Sequence, residues 1–121
     1  MVKKNKKTNP ILNKLIHDLK KQSNEKDVGI WKDIALRLEK SSKNWPVVNL
    51  DRISKHIQEK ETALIPGKVL SDGDLTKKVT VAAWSFSEKS HDKIKKAGGK
   101  SISIDDLMKN NPKGENIRIL G

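Results

Sequence analysis

The chain has 121 residues, with 26 Lys and Arg against 15 Asp and Glu, a net charge of +11 and no cysteine. No apolar stretch reaches the roughly 18 residues of a membrane span, and no apolar core follows the basic N-terminus as it would in a secretory signal. The absence of thiols excludes disulfides, thiolate metal sites and cysteine nucleophiles, so a single soluble intracellular domain is expected.

Residues 1–7 contain Lys3, Lys4, Lys6 and Lys7 and no apolar periodicity, which describes a basic arm over residues 1–8. Thr8-Asn9-Pro10 is a helix start: a capping side chain precedes a proline whose missing N–H would be unpaired there anyway. Ile11, Leu12, Leu15, Ile16 and Leu19 then recur at helical spacing, while Lys14, His17, Lys20 and Lys21 occupy the opposite face. Residues 23–29 are polar, end in Gly29, and predict a loop. Ile30, Trp31, Ile34, Ala35 and Leu38 predict a second helix running to about Lys40. Residues 41–46 break it, because a residue before proline, here Trp45 before Pro46, avoids the helical region. A third helix starts near Asn49, with Leu50, Ile53 and Ile57 inward.

The period then changes. Residues 62–65 predict a strand, Pro66-Gly67 a kink, and residues 68–70 a second short strand before a turn at residues 71–74. Residues 79–86 are the most apolar run and predict the central strand. Ser87 caps a helix through Lys96 that stops at Gly98-Gly99. Residues 101–104 predict a strand, Ser103-x-x-Asp106 opens a short helix, residues 110–114 form a turn, and residues 117–120 a last strand. The expected class is α/β: a basic arm (1–8), a helical portion (9–60) and a small α/β portion (61–121) within one compact domain.

Catalytic chemistry finds little support. His17, His56 and His91 have no metal-ligand spacing and are expected on the surface. Asp105-Asp106 point about 100° apart on a helix and suit its positive end rather than acid–base work. Gly99-Lys100-Ser101 imitates the end of a phosphate-binding loop, but Ile94 stands where that motif needs glycine, and the order is helix–glycine–strand. Trp31 and Trp84 are assigned to the core, whereas Trp45, in a polar loop, is a candidate to stack on a base or a partner. Gly67 and Gly73 would permit close approach of backbone to a phosphate, and plain turn geometry accounts for them as well.

The charge points to a polyanion. Residues 1–60 carry 15 basic and 7 acidic side chains, and residues 61–121 carry 11 and 8. Only three of the basic residues are arginine, so phosphate neutralisation should outweigh reading of base edges. The polyanion is nucleic acid or an anionic membrane surface, and Lys3, Lys4, Lys6, Lys7, Thr8, Asn9, Lys14 and Lys21 form a first candidate contact group for it at the junction of arm and helix. Lys40, Lys43, Lys68 and Lys100, in or beside breaks, form a second.

Several ordered segments also match a known family. These are Lys7-Thr8-Asn9-Pro10, Trp31 to Leu38, Val48-Asn49-Leu50 with Arg52-Ile53, Ile65-Pro66-Gly67-Lys68-Val69-Leu70, Val79-Thr80-Val81-Ala82-Ala83, Phe86-Ser87 and Asn110-Asn111-Pro112. In this order they resemble the archaeal and eukaryotic large-subunit ribosomal protein of the eighteen-e type, which is similar to the bacterial large-subunit protein fifteen. The chain departs from that pattern at Ser71, where such proteins often carry glycine. The resemblance implies a non-catalytic structural constituent of the cytoplasmic ribosome. Its implied partners are large-subunit ribosomal RNA and neighbouring ribosomal proteins, with no cofactor, metal, membrane or small-molecule substrate. Composition alone fits a non-specific RNA- or DNA-binding chaperone nearly as well.

Overall fold

A computed structural model describes residues 9–58 and 60–121. In chain order the elements are α1 (Pro10–Lys26), α2 (Gly29–Glu39), a 3-10 turn (Ser42–Asn44), β1 (Val47–Asn49), α3 (Leu50–His56), β2 (Thr62–Leu70), β3 (Thr80–Phe86), α4 (Glu88–Lys96), β4 (Lys100–Ser103), α5 (Ile104–Asn110) and β5 (Ile117–Ile119).

All five strands are parallel. The sheet runs β1-β2-β3-β4, and β5 joins the same edge of β2 as β1 but pairs with its opening residues, Thr62 to Leu64, while β1 pairs with its last three. Parallel strands need cover on both faces. Leu15 and Leu19 of α1, Trp31, Ile34 and Leu38 of α2, and Leu107 and Met108 of α5 pack with Leu64 and Ala82 on one face. On the other, Leu50 and Ile53 of α3 and Ile94 of α4 pack with Ile65, Val69 and Val81. The result is an α/β protein with helices leading and a parallel sheet behind, in which α1 and α2 roof the sheet. Trp31 is fully buried and its indole N–H donates to the Pro112 carbonyl at 2.8 Å, tying α2 to the segment before β5.

Several boundaries differ from expectation for identifiable reasons. Helix α1 continues through residues 23–26, because Ser23 is buried and Asp27 takes the left-handed conformation (φ 55°) that ends the helix, with its N–H on Ser23 O. Gly29 opens α2 instead of closing a loop. Val47–Asn49 forms a strand that three residues cannot signal alone; its pairing with β2 creates it. Residues 62–70 are one strand, not two. The register shift between Ile65 and Lys68 absorbs Pro66-Gly67 as a bulge, which is where a strand tolerates a residue lacking an N–H. Ile104 belongs to α5 rather than to the preceding strand.

Local capping agrees with expectation. Ser87 Oγ accepts from Ser90 N–H, Ser103 Oγ accepts from Asp106 N–H, and Gly98 has φ 85° just past α4. Gly73 (φ 83°) seats its backbone against Asp51, and buried Gly67 lies against the Pro46 carbonyl, so close packing of the chain on itself accounts for both glycines.

Candidate nucleic-acid interface

Lys3, Lys4, Lys6, Lys7 and Thr8 lie outside the described residues. The description begins at Asn9, where Oδ1 accepts from the N–H groups of Ile11 and Leu12 at 3.0 and 3.1 Å. That bond fixes where α1 starts and so where the arm attaches. About one and three turns on, Lys14 is exposed but held by Asp18 at 2.7 Å, and Lys20 pairs with Glu39 of α2 at 2.6 Å. The Lys14 ammonium holds the Asp18 carboxyl below its ordinary range, and Asp18 raises Lys14 in return. Lys21 is exposed, forms no ion pair among the described residues, and adds to the positive field that lowers Asp18.

The carboxyl end of the sheet is concave. Trp84, near the end of β3, packs against the core as expected but is only half-buried, and it lines three adjoining depressions. Trp45 meets it edge to face, with ring centroids 5.9 Å apart and planes at 76°, and donates its indole N–H to the Lys40 carbonyl at 3.0 Å. Asn9 and Lys40 border the same depression, so one member of each predicted group is brought together there. Lys43 is exposed in the adjacent 3-10 turn. Lys68 is exposed on β2 opposite Val47 and Ser85.

Lys100 lies at the opposite end of the sheet. It is level with Thr80, whereas Lys68 is level with Ser85, about 16 Å further along at roughly 3.3 Å per residue. Lys100 has different neighbours: its N–H bonds Val79 O at 3.0 Å, and Gly98 and Gly99 bond back to Lys95 O and Ile94 O. Lys78, Lys95 and Lys96 are therefore contiguous with it, all exposed and without acidic partners among the described residues. Sequence reasoning missed these three because it followed the surplus charge of the front half. The signal was the doubled lysines at 77–78 and 95–96, on either side of the glycine turn that the fold closes. Lys77 and Lys93 act internally: Lys77 Nζ donates to Ile57 O at 2.9 Å, and Lys93 Nζ to Ser71 O and Gly73 O at 3.0 and 2.9 Å, securing the crossover between β2 and β3.

Among the described residues no convergent acid, base and nucleophile accompanies these surfaces. His17, His56 and His91 are exposed; His91 stacks on Phe86 and contacts the Ser101 hydroxyl. Asp105 pairs with Lys109 at 3.1 Å on the first turns of α5. Among the described residues no cluster of His, Asp or Glu forms a metal site, and no helix is long and apolar enough to cross a membrane.

The chain is thus an all-parallel α/β domain with exposed lysines at both ends of its sheet, a surface suited to a polyanion. Sequence comparison makes the assignment particular. The family model described as ribosomal protein 60S L18 and 50S L18e matches residues 1–121, and the chain belongs to that family of large-subunit ribosomal proteins. It is 51% identical over 120 residues to the large ribosomal subunit protein eL18 of Methanospirillum hungatei, and 46% identical over 120 residues to that of Methanothermobacter thermautotrophicus, covering 99% of both chains in each case. It is 50% identical over 115 residues to the eL18 of Methanosphaerula palustris, covering 95% of each. By family the chain is a structural constituent of the large subunit of the cytoplasmic ribosome, and not an enzyme.

Proposed function

We propose that the chain binds large-subunit ribosomal RNA through its phosphates and folded shape, with neighbouring ribosomal proteins as further partners. The observation that carries this reading is the many exposed lysines without an ion pair among the described residues: Lys21, Lys40, Lys43, Lys68 and Lys100 of the predicted contacts, Lys78, Lys95 and Lys96 beside Lys100, and Lys26, Lys32, Lys60, Lys89 and Lys113 elsewhere on the surface. Fixed ammonium groups without local counter-ions release condensed cations from RNA when they bind, and the near absence of arginine favours point-charge contact over base-edge reading. Lys3, Lys4, Lys6, Lys7 and Thr8 join Asn9 and Lys14 as the arm-side contact, and two basic ends on one rigid sheet suit gripping two strands of a folded RNA.

Sedimentation of lysate through a sucrose gradient in moderate salt tests the proposal. The protein should travel with the large subunit and leave it as salt is raised. A protein that stays near the top under all conditions would instead be a free RNA chaperone.

The Lys14–Asp18 pair supplies a finer test. Asp18 competes with phosphate for Lys14, so Asp18→Asn should raise affinity for ribosomal RNA about two- to threefold at low salt, with the gain vanishing near 1 M salt. Stability should hardly change, because an exposed pair of this kind contributes little. Unchanged affinity at low salt would remove Lys14 from the contact.

A further inference from the structure

We propose that the groove closed by Trp45 and Trp84 is a receptor for a single unstacked nucleobase, a contact to one base in addition to the phosphate contacts; it rests on the RNA-binding reading above. The groove has a volume of about 540 Å³, within the range of small-ligand sites, and it lies between the start of α1, the end of α2 and the end of β3. Its aromatic wall is built before any ligand arrives. The Trp45 indole is oriented by its bond to Lys40 O and by the edge-to-face contact with Trp84, so a base stacking there would cost little ordering of side chains. Both indoles remain half-buried, leaving ring surface open to the groove.

The polar lining fits a nucleotide better than a peptide. Asn9 Oδ1 is used in capping α1, which leaves the Asn9 amide N–H groups as donors, and the Ser42 hydroxyl stands across the groove. Glu39 is the one carboxylate on the lining, and it is paired with Lys20 at 2.6 Å, which offsets part of its charge. Lys40 is exposed on the rim, Lys43 lies three residues on, and the four-lysine arm is attached at Asn9 itself. A phosphate chain held at Lys40 and Lys43 therefore passes the mouth of an aromatic slot. Stacking there is tolerant of base identity, because every base has a π-face.

The test uses the full chain and two RNA stem-loops that differ at one position, a bulged adenosine or an abasic residue in its place. The protein should bind the adenosine probe about tenfold more tightly than the abasic one, and only the adenosine probe should quench indole fluorescence. Trp45→Leu keeps apolar volume but removes the ring, and should bring the two probes to equal affinity; Trp45→Phe should restore most of the difference. If the wild-type protein binds both probes equally, the groove does not receive a base, while phosphate binding stands. If it binds neither, the RNA reading fails and this proposal with it. A photo-crosslinking amino acid at position 45 should join to a ribosomal RNA nucleotide in assembled subunits; joining to a ribosomal protein would identify the groove as a peptide site and overturn the proposal.

Discussion

Gly67→Ala should destabilise the protein by about 3 kcal/mol or more, at the upper end of what overpacking costs, and a urea unfolding curve against the wild type measures it. Gly67 sits in β2 within the register shift that lets the strand pass Pro66. Its backbone does not require a positive φ, so conformational freedom is not the issue. Space is: a Cβ there would fall far inside van der Waals contact of the Pro46 carbonyl oxygen, which accepts the N–H of Lys68 at 3.1 Å. Backbone cannot swing aside as a side chain can. To admit one methyl group, β1 would have to leave β2, giving up the pairing of Val47 to Asn49 and exposing Val48, which is fully buried. Against a total stability of roughly 5–15 kcal/mol the loss is severe. Gly29→Ala is the matched control, because nothing lies within 4 Å of a Cβ at that position, in the first turn of α2. It should be neutral or up to about 1 kcal/mol stabilising. Near-equal behaviour of the two variants would mean that β1 is held far more loosely than its pairing indicates.

Gly67 also shows where sequence reading stops. Pro66-Gly67 is legible as an interruption, but not as a bulge in a continuous strand, because what holds the strand together is β1, twenty residues away in sequence and too short to announce itself. The same limit explains α1. Its start is written in Asn9-Pro10, yet its end depends on Asp27 accepting a left-handed conformation, a choice that Gly29 two residues later obscured. Helix α4 was legible at both ends because Ser87 and Gly98 act locally. Trp84 was legible as a packing residue but not as a groove wall: it packs against the core and, near the strand's carboxyl end, keeps part of its ring open between α1 and the sheet. Members of the candidate interface could be nominated from charge, but not grouped. Asn9 and Lys40 meet only because α1 and α2 pack side by side, and Lys100 parts from Lys68 only because every strand runs the same way.

That separation makes removal of residues 1–8 the decisive variant for RNA binding. The deletion takes away Lys3, Lys4, Lys6 and Lys7 and no acidic residue, lowering the net charge by four from +11 to +7. Asn9 stays to cap α1, and Leu15 and Leu19 still anchor the helix, so thermal stability should be unchanged. If each lysine neutralises one phosphate, the slope of log affinity against log salt should fall in magnitude by about 3. Such contacts lose their advantage near 1 M salt; a slope change of about 3 carried back to 0.15 M corresponds to a loss of roughly three hundredfold. Filter binding to large-subunit ribosomal RNA over a salt series measures both quantities. Replacing the four lysines by glutamine in the full-length chain should reproduce the loss, which would assign it to charge and not to length. The companion variant carries Lys78→Gln, Lys95→Gln, Lys96→Gln and Lys100→Gln at the other end of the sheet. Should the truncated chain keep its slope while the companion loses it, the arm is not the main contact and the RNA lies across the glycine turn after α4. If both lose slope by comparable amounts, the sheet is a rigid spacer between two RNA contacts, and combining the variants should add their losses, because Asn9, where the arm attaches, and Lys100 lie at opposite ends of the sheet.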